Sequence, residues 1–192
     1  MGFLDALLGR TRPVKPNLDV LFAVPAAGLT TQTSLGLAPT GTGGVCFASA
    51  EGQAAAQAQT DALALLDVDR AGRATASRDQ YGYTWITVHQ PDGDLSALVT
   101  DLHAVNATLS DAGYGPGLLC TVVGFAGEVN GQPRRAGLVY LFKRGTFYPF
   151  APTGPQVRDT ALELQMRAVL DGELPIESDL SRWFPIWDCP AL

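Results

Sequence analysis

The sequence predicts an α+β fold in which helices pack on one mainly antiparallel sheet. Apolar residues make up 46% of the 192 residues, which is enough for the core of a single domain. Stretches typical of strands follow one another over short turns, and this arrangement favours antiparallel pairing. Residues 95–112 have the three-to-four-residue apolar period of a helix that covers a sheet.

The strand prediction is strongest over residues 74–90. The stretch YGYTWITVHQ, at 81–90, is aromatic and β-branched, and its alternation places Trp85 on one face and Ile86 on the other. A short strand is also expected at 45–49. The run GTGG at 41–44 precedes that strand and is expected to be a turn. It is not a phosphate-binding loop, because such a loop follows a strand and opens a helix.

A hairpin is expected in the second half of the chain. Two apolar stretches, 118–126 and 136–147, predict its strands. Asn130 and Gly131 between them are a common hairpin-turn pair, and the predicted loop is longer than two residues. The prolines in the stretch 148–152 are expected to end the sheet, because proline cannot donate to the ladder.

The helix over 95–112 is expected to begin after Asp94, a good N-cap, and to end at Gly113. Weaker helices are expected over 53–67 and 156–171. Residues 25–44 are rich in Gly, Pro and Thr and are expected to be loop with at most one helical turn. The apolar face of 95–112 contains Leu95, Leu98, Val99, Leu102, Val105 and Leu109, and that of 156–171 contains Val157, Ala161, Leu164 and Ala168.

The chain divides into an N-terminal amphipathic helix and linker (1–16), a single α+β domain (17–172) and an aromatic, proline-rich tail (173–192). The first segment could contact a membrane or a partner, or fold back on the domain. The tail could either be pinned to the domain or anchor a partner. The interaction residues predicted in these segments are Phe3, Leu4, Leu7, Leu8 and Arg10, and then Trp183, Phe184 and Trp187.

The composition excludes several classes of function. A net charge of −6 argues against nucleic-acid binding, which needs basic surface. The three cysteines are far apart and form no CxxC pair, which fits a reducing cytoplasm. No signal peptide or apolar run of membrane-spanning length is present, so we expect a cytoplasmic protein, with peripheral contact at the inner face of the cell membrane as a further option.

No catalytic or metal-binding motif is present, so we expect no enzyme, cofactor or metal. The only two histidines, His89 and His103, are predicted on different elements and have no ligand spacing. A dyad of Cys120 with His89 across the sheet is formally possible, although buried strand cysteines are usually inert. The unusual stretch is FKRGTFYPF at 142–150, where Lys143 and Arg144 stand among aromatic residues and are included in the predicted interaction residues. They could bind an anion or a single-stranded nucleic acid, although the acidic charge of the chain argues against the latter. The alternative is that the aromatic residues pack in the core and Lys143 or Arg144 pairs with acidic residues.

Several strings together resemble the PspA-associated protein PspAB family of the phage-shock type envelope-stress system. They are MGFLDALLGR, GYTWITVHQ, DLHAVNATLSDAGYGP, YLFKRGTFYPFAP and LPIESDLSRWFP, beginning at residues 1, 82, 101, 140 and 174. The resemblance covers almost the full length and is weakest over 50–75. It implies a cytoplasmic accessory protein linked to PspA, a membrane-remodelling coiled-coil protein, and to an HtpX-type membrane metalloprotease. It carries over no catalytic residues.

Three hypotheses remain. The first is a non-catalytic adaptor that binds a coiled-coil or membrane-associated protein, in the manner of a groove that receives a helix. The second is a peripheral membrane protein that acts through its N-terminal helix. The third is an enzyme that uses Cys120 or the region of Lys143 and Arg144. A homodimer is left open. The element order is also similar to that of type III secretion chaperones, an analogy of fold that carries no function.

Overall fold

The computed structural model describes residues 16–48, 57, 60, 63–64 and 73–192. The predicted α+β fold is confirmed: helices pack on a six-stranded antiparallel sheet with the strand order β2-β3-β1-β4-β5-β6. The strands of this sheet are β1 (Leu37–Ala48), β2 (Ala74–Arg78), β3 (Tyr83–His89), β4 (Leu118–Val129), β5 (Gln132–Leu141) and β6 (Thr146–Phe150). The α-helices with defined bounds are α1 (Val24–Leu35), α2 (Leu95–Leu109) and α3 (Thr160–Leu170). Short 3-10 turns lie at Leu18–Ala23 and Leu180–Arg182, and β7 (Pro152–Gly154) pairs with β8 (Val157–Arg158).

Helix α2 covers one face of the sheet as the sequence predicts. The Asp94 carboxylate caps it by accepting hydrogen bonds from the backbone N–H groups of Ser96 and Ala97. Its regular α-helical part ends at Leu109, and the chain leaves through a wider turn in which Gly113 has a φ of 90°. The predicted apolar face is buried throughout: Leu95, Leu98, Val99, Leu102, Val105 and Leu109.

The prediction of a loop over 25–44 is wrong. Residues 24–35 form α1, and the strand that was expected at 45–49 begins at Leu37. Pro25 stands in the first turn, where its missing N–H costs nothing, and Gly36 closes the helix in the left-handed conformation with a φ of 73°. The buried face of α1 consists of Val24, Ala27, Gly28 and Thr31, and most of these side chains are too small to give an apolar signal in the sequence.

The glycines at 41–44 lie inside β1 and do not form the expected turn between elements. A register shift in the β1–β4 pairing falls between Pro39 and Gly43. A Cβ atom on Gly43 would lie only 2.7 Å from Leu102 Cδ1, and one on Gly44 would lie 3.2 Å from the Trp85 ring. The glycines therefore let α2 approach one face of the sheet and the indole of Trp85 pack closely on the other.

The second half of the sheet is a meander of three strands. The β4–β5 loop is shorter than predicted, because only Asn130 and Gly131 lie outside the strands, with φ values of 53° and 73° that suit a tight hairpin. The predicted strand 136–147 is divided by a turn at 142–145. Strand β6 continues through Pro149, contrary to the expected break, because β6 is the last strand of the sheet and proline is tolerated on such an edge.

Helix α3 is shorter than predicted, and its buried face differs from the predicted one. The side chains of Leu162, Met166 and Leu170 are buried, as is Glu163. Glu163 accepts hydrogen bonds from the Arg158 guanidinium and from the Ala151 N–H, which lets a carboxylate stand on the inner face. The expected face is solvent-exposed at Val157, Ala161, Leu164 and Ala168. Of the helix expected over 53–67, only Gln57, Thr60, Leu63 and Ala64 are described, and they are helical.

The face of the sheet opposite the helices is covered by the end of the chain. A second apolar cluster forms there between strand residues and the segment 176–192. Its buried members are Cys46, Trp85, Cys120, Val122, Val139, Tyr148, Phe150, Trp183, Cys189 and Ala191. This side, called the tail face below, carries the candidate site.

Candidate functional site

The floor of the site is a row of side chains that crosses the sheet on the tail face. Trp85 on β3 is directly opposite Cys46 on β1, and Cys46 is directly opposite Cys120 on β4. Cys120 is in turn opposite Leu141 on β5. Directly paired residues project to the same face, so the register places these four side chains side by side.

Above this row lies an open cavity of about 740 Å³, a volume typical of ligand pockets. The β2–β3 turn forms one wall, with Tyr81 and Tyr83, and the tail forms the other, with Phe184 and Trp187. The turn that joins β5 and β6 closes one end. The remaining lining residues are Asp79, Leu119, Lys143, Arg144, Tyr148, Pro185 and Ile186.

The turn wall is held in place by one carboxylate. Asp79 Oδ1 accepts hydrogen bonds from the backbone N–H groups of Tyr81 and Tyr83, each 2.9 Å long. Asp79 Oδ2 accepts a 3.0 Å bond from Trp85 Nε1. The same side chain therefore fixes the turn and orients the indole at the cavity floor.

The tail wall is attached through Trp183, which is buried behind the cavity. Its ring stacks on Tyr148, with the centroids 6.0 Å apart, and its Nε1 donates a 3.0 Å hydrogen bond to the Glu177 carbonyl. The Tyr148 hydroxyl donates to the Phe184 carbonyl at 2.7 Å, and Arg158 Nη1 donates to the Trp183 carbonyl at 2.8 Å. The tail is thus tied to β6 through the Phe184 carbonyl and to β8 through the Trp183 carbonyl.

Glu177 joins the tail to the β5–β6 turn. Its side chain is only 3% exposed and accepts hydrogen bonds from Arg144 Nε at 3.3 Å, the Thr146 hydroxyl at 3.1 Å and the Asp179 N–H at 3.1 Å. Burial by itself would raise the pKa of this carboxyl. The hydrogen bonds and the Arg144 charge outweigh burial, so the pKa of Glu177 is lowered from its ordinary value. The carboxylate is ionised at neutral pH.

Two neighbouring cations at the closed end have different surroundings. Arg144 is paired with Glu177, and Arg182 also lies 3.6 Å from that carboxylate. Lys143 is exposed and has no ion-pair partner among the described residues. Within the described lining, Lys143 therefore carries the charge that is available to a molecule entering the cavity.

Cys120, at the floor, and the neighbouring Cys189 are poor nucleophiles. A hydrogen bond to Cys46, followed by burial, raises the pKa of Cys120 well above its ordinary value. Burial raises the pKa of Cys189 to about 12, and burial also raises the pKa of the Tyr148 hydroxyl. The Cys120–His89 dyad considered from the sequence does not form, because His89 is opposite Thr42 in the β1–β3 register, four residues along β1 from Cys46.

The structure brings together residues that the sequence analysis selected from two distant segments. Lys143 and Arg144 meet Phe184 and Trp187 at one cavity, while Trp183 lies beneath it. Tyr81, Tyr83 and Cys46 also line the cavity and were not selected, because an aromatic strand end and a strand cysteine indicate only sheet packing. The remaining predicted interaction residues lie outside the described residues: Phe3, Leu4, Leu7, Leu8 and Arg10.

Neither histidine lies at the cavity. His89 Nδ1 is 3.0 Å from the Thr42 hydroxyl. The His103 ring lies 4.9 Å from the Phe22 ring at a tilt of 33°, and His103 Nε2 is 3.7 Å from Asp19 Oδ1. Within the described ranges, no group of three or more His, Cys, Asp or Glu side chains is arranged to hold a metal ion. In the same part of the chain, no helix has the length and apolar character needed to cross a membrane.

Fold and site together define an α+β protein with an accessible, aromatic-walled cavity on the tail face of its sheet. A family model described as PspA associated protein B matches residues 1–191, and the chain belongs to that family. Searches of curated proteins and of solved structures found no match. The likeness to type III secretion chaperones therefore stays a prediction. Membership of a PspA-associated family is consistent with an accessory role in the Psp stress-response system.

Proposed function

We propose that this chain is a non-catalytic accessory protein of a PspA-type envelope-stress response that binds a protein partner at the tail-face cavity. The observation that carries the proposal is the rim of this cavity. Tyr81, Tyr83 and Phe184 are large aromatic side chains with exposed fractions of 51%, 40% and 59%. They line the cavity together with Lys143, which has no ion-pair partner in the part of the chain that the structure describes. Aromatic side chains are enriched at protein interfaces and dominate their binding energy.

PspA is the first candidate partner because the family is named for its association with PspA. A membrane-associated protein of the same system, such as the metalloprotease implied by the resemblance, is the second. The net charge of −6 disfavours direct attraction to anionic lipid headgroups, so a protein surface suits the described chain better than a bare membrane. We propose a cytoplasmic location, with any membrane contact of the described residues made through the partner.

The chemistry of the cavity supports binding without catalysis. A nucleophilic cysteine needs a lowered pKa, whereas the pKa of Cys120 is raised. The charged side chains Asp79 and Arg144 are occupied by the hydrogen bonds and the ion pair that hold the walls. A general acid or base would need a titratable group within reach of a bound substrate and a pKa near neutrality.

The test is co-purification of the intact chain with PspA in detergent-free extract, followed by size-exclusion chromatography of the two purified proteins. We expect a stable complex, and we expect a variant with Phe184→Glu to lose it while remaining folded. The same column reports self-association of the chain alone. If PspA and the intact chain elute separately at concentrations well above those in a cell, the proposed function is wrong.

A further inference from the structure

The shape of the cavity restricts what can enter it. Side chains from β3, β1, β4, β5 and β6 line it, and four inter-strand spacings of about 4.8 Å give a length of about 19 Å. Because the cavity, called the slot below, is open to solvent, the side chains of a segment that lies over it can enter while the backbone of that segment stays outside.

The polar groups of the inner wall are already used within the protein. Asp79 binds Trp85 and two backbone N–H groups, and the Tyr148 hydroxyl donates to the tail backbone. An extended peptide in the slot would bury backbone N–H and C=O groups that find few partners there, at a substantial cost in free energy. A helix that lies over the slot satisfies its own backbone and inserts only side chains.

The charge at the closed end favours an acidic group of the occupant at that position. Lys143 is exposed and unpaired among the described residues, whereas the neighbouring Arg144 is held by Glu177. A carboxylate above the closed end would gain an ion pair with Lys143 without breaking the Arg144–Glu177 pair. A cationic group at the same position would meet two positive side chains.

Building on the proposed function, we infer that the cavity receives one apolar row of an amphipathic helix on the partner, with an acidic residue of that helix above Lys143. About 19 Å of slot corresponds to about 13 helical residues, so the row consists of apolar residues at i, i+4, i+7 and i+11. Tyr81, Tyr83 and Phe184, at the rim of the cavity, flank the row. The direction of the bound helix follows from which end carries the acidic residue.

Occupancy of the slot can be measured at its floor, where Cys46 and Cys120 serve as built-in probes. Because the pKa of Cys120 is raised, the chain is treated with excess methyl methanethiosulfonate at alkaline pH, and modification is followed by mass spectrometry with and without saturating PspA. Floor thiols that stay unmodified in the free chain would show that the cavity floor is closed to an entering side chain, and would overturn the inference. We expect PspA to slow modification of both floor thiols at least tenfold. Cys189 is the internal control, because it lines a neighbouring recess with Gln80, Arg135 and Leu192, and PspA should slow its modification much less than that of the floor thiols. Phosphatidylglycerol vesicles without PspA serve as the lipid control.

The acidic residue is tested by reversing the charge of Lys143. Lys143→Glu should weaken PspA binding about fivefold or more, and Lys143→Met should remove most of the dependence of affinity on salt concentration. One Asp→Lys or Glu→Lys substitution in PspA should then restore binding to Lys143→Glu while weakening binding to the unmodified chain. These changes concern an exposed side chain, so melting temperatures should remain unchanged.

Each outcome decides the inference. If PspA binds and leaves the floor thiols as reactive as before, the slot is not the site and the inference fails, while the proposed function stands. If the thiols are protected and Lys143→Glu binds normally, the acidic contact is wrong. If vesicles protect the floor thiols as PspA does, the cavity is a lipid site and the inference that it receives a partner helix is wrong. Absence of PspA binding in any assay refutes the proposed function and the inference with it.

Discussion

Arg144 Nε lies 3.3 Å from Glu177 Oε2, and this pair connects the β5–β6 turn with the tail. The turn closes one end of the cavity and the tail supplies one of its walls. The backbone repeats the connection, since the Phe147 N–H donates to the Pro175 carbonyl and the Glu177 N–H donates to the Phe147 carbonyl. The integrity of the cavity therefore depends on Glu177.

The first prediction is a loss of stability in acid that originates at Glu177. The pKa of this carboxyl is lowered from 4.5, so its contribution to stability is complete above pH 4.5 and is lost as the pH falls through the lowered pKa. Glu177→Gln should reduce the free energy of unfolding by about 1–3 kcal/mol at pH 7. Urea unfolding of the unmodified protein and of Glu177→Gln is measured at pH 7 and at pH 3. If the two proteins differ in free energy of unfolding by the same amount at both pH values, Glu177 is not the source of the acid sensitivity.

The second prediction concerns the packing of α2 on β1. Leu102 is fully buried and packs against Gly43, so Leu102→Ala should cost about 2–5 kcal/mol. Gly43→Ala should also destabilise, because the added methyl group would meet Leu102 Cδ1 at 2.7 Å and the Val122 carbonyl oxygen at 2.9 Å. Chemical denaturation gives both values, and the double variant should be less destabilised than their sum. Additive costs would show that the methyl group and Leu102 do not compete for space.

The third prediction separates the two aromatic residues that are adjacent in the tail. Trp183 is buried, stacks on Tyr148 and bonds to the Glu177 carbonyl, so Trp183→Ala should cost about 3–5 kcal/mol. Phe184 is exposed, and Phe184→Ser should change stability by less than about 0.5 kcal/mol. Deletion of residues 180–192 should lower the melting temperature as Trp183→Ala does. If the deletion leaves stability unchanged, the tail is not pinned to the domain.

The fourth prediction rests on the sequence of residues 1–10, which lie outside the described residues. The hypothesis that this segment contacts a membrane is tested by flotation of the intact chain with phosphatidylglycerol liposomes, in low and in physiological salt. The comparison is Leu4→Glu combined with Leu8→Glu. Because Arg10 and, just after the segment, Arg12 and Lys15 would each gain about 1 kcal/mol near an anionic leaflet, binding should be weak and salt-sensitive. If the intact chain stays in the soluble fraction at low salt, the membrane hypothesis is wrong.

The sequence predicted the elements whose buried faces carry large apolar side chains. Helix α2 and strand β3 were recognised because Leu98 and Leu102 on the helix, and Trp85 and Ile86 on the strand, give clear periods. Helix α1 was missed because its buried face is built from small residues such as Ala27 and Gly28. Its close packing is a tertiary effect that leaves no local signal.

Polar residues on inner faces misled the sequence analysis elsewhere. The face of α3 that includes Leu162 and Met166 was passed over because Glu163 stands on it, and its partner Arg158 could not be identified before the fold was known. The candidate site shows the same limit. Lys143 was selected because it stands among aromatic residues, and Phe184 because it belongs to the aromatic tail. They lie 41 positions apart, and only the fold shows that they line one cavity.

The central claim is that PspA binds at the rim of the tail-face cavity. The direct measurement is the Kd of PspA, determined by calorimetry, for two double variants of this chain. The rim pair combines Tyr83→Glu with Phe184→Glu. The control pair combines Phe22→Glu with Leu29→Glu. All four residues are exposed apolar or aromatic side chains, but the second pair lies on the helical side of the sheet. We predict at least tenfold weaker binding for the rim pair, because a charge in an aromatic hot spot costs more than about 1.4 kcal/mol, and no change for the control pair. Unchanged binding by the rim pair, or equal losses in both, would contradict the claim.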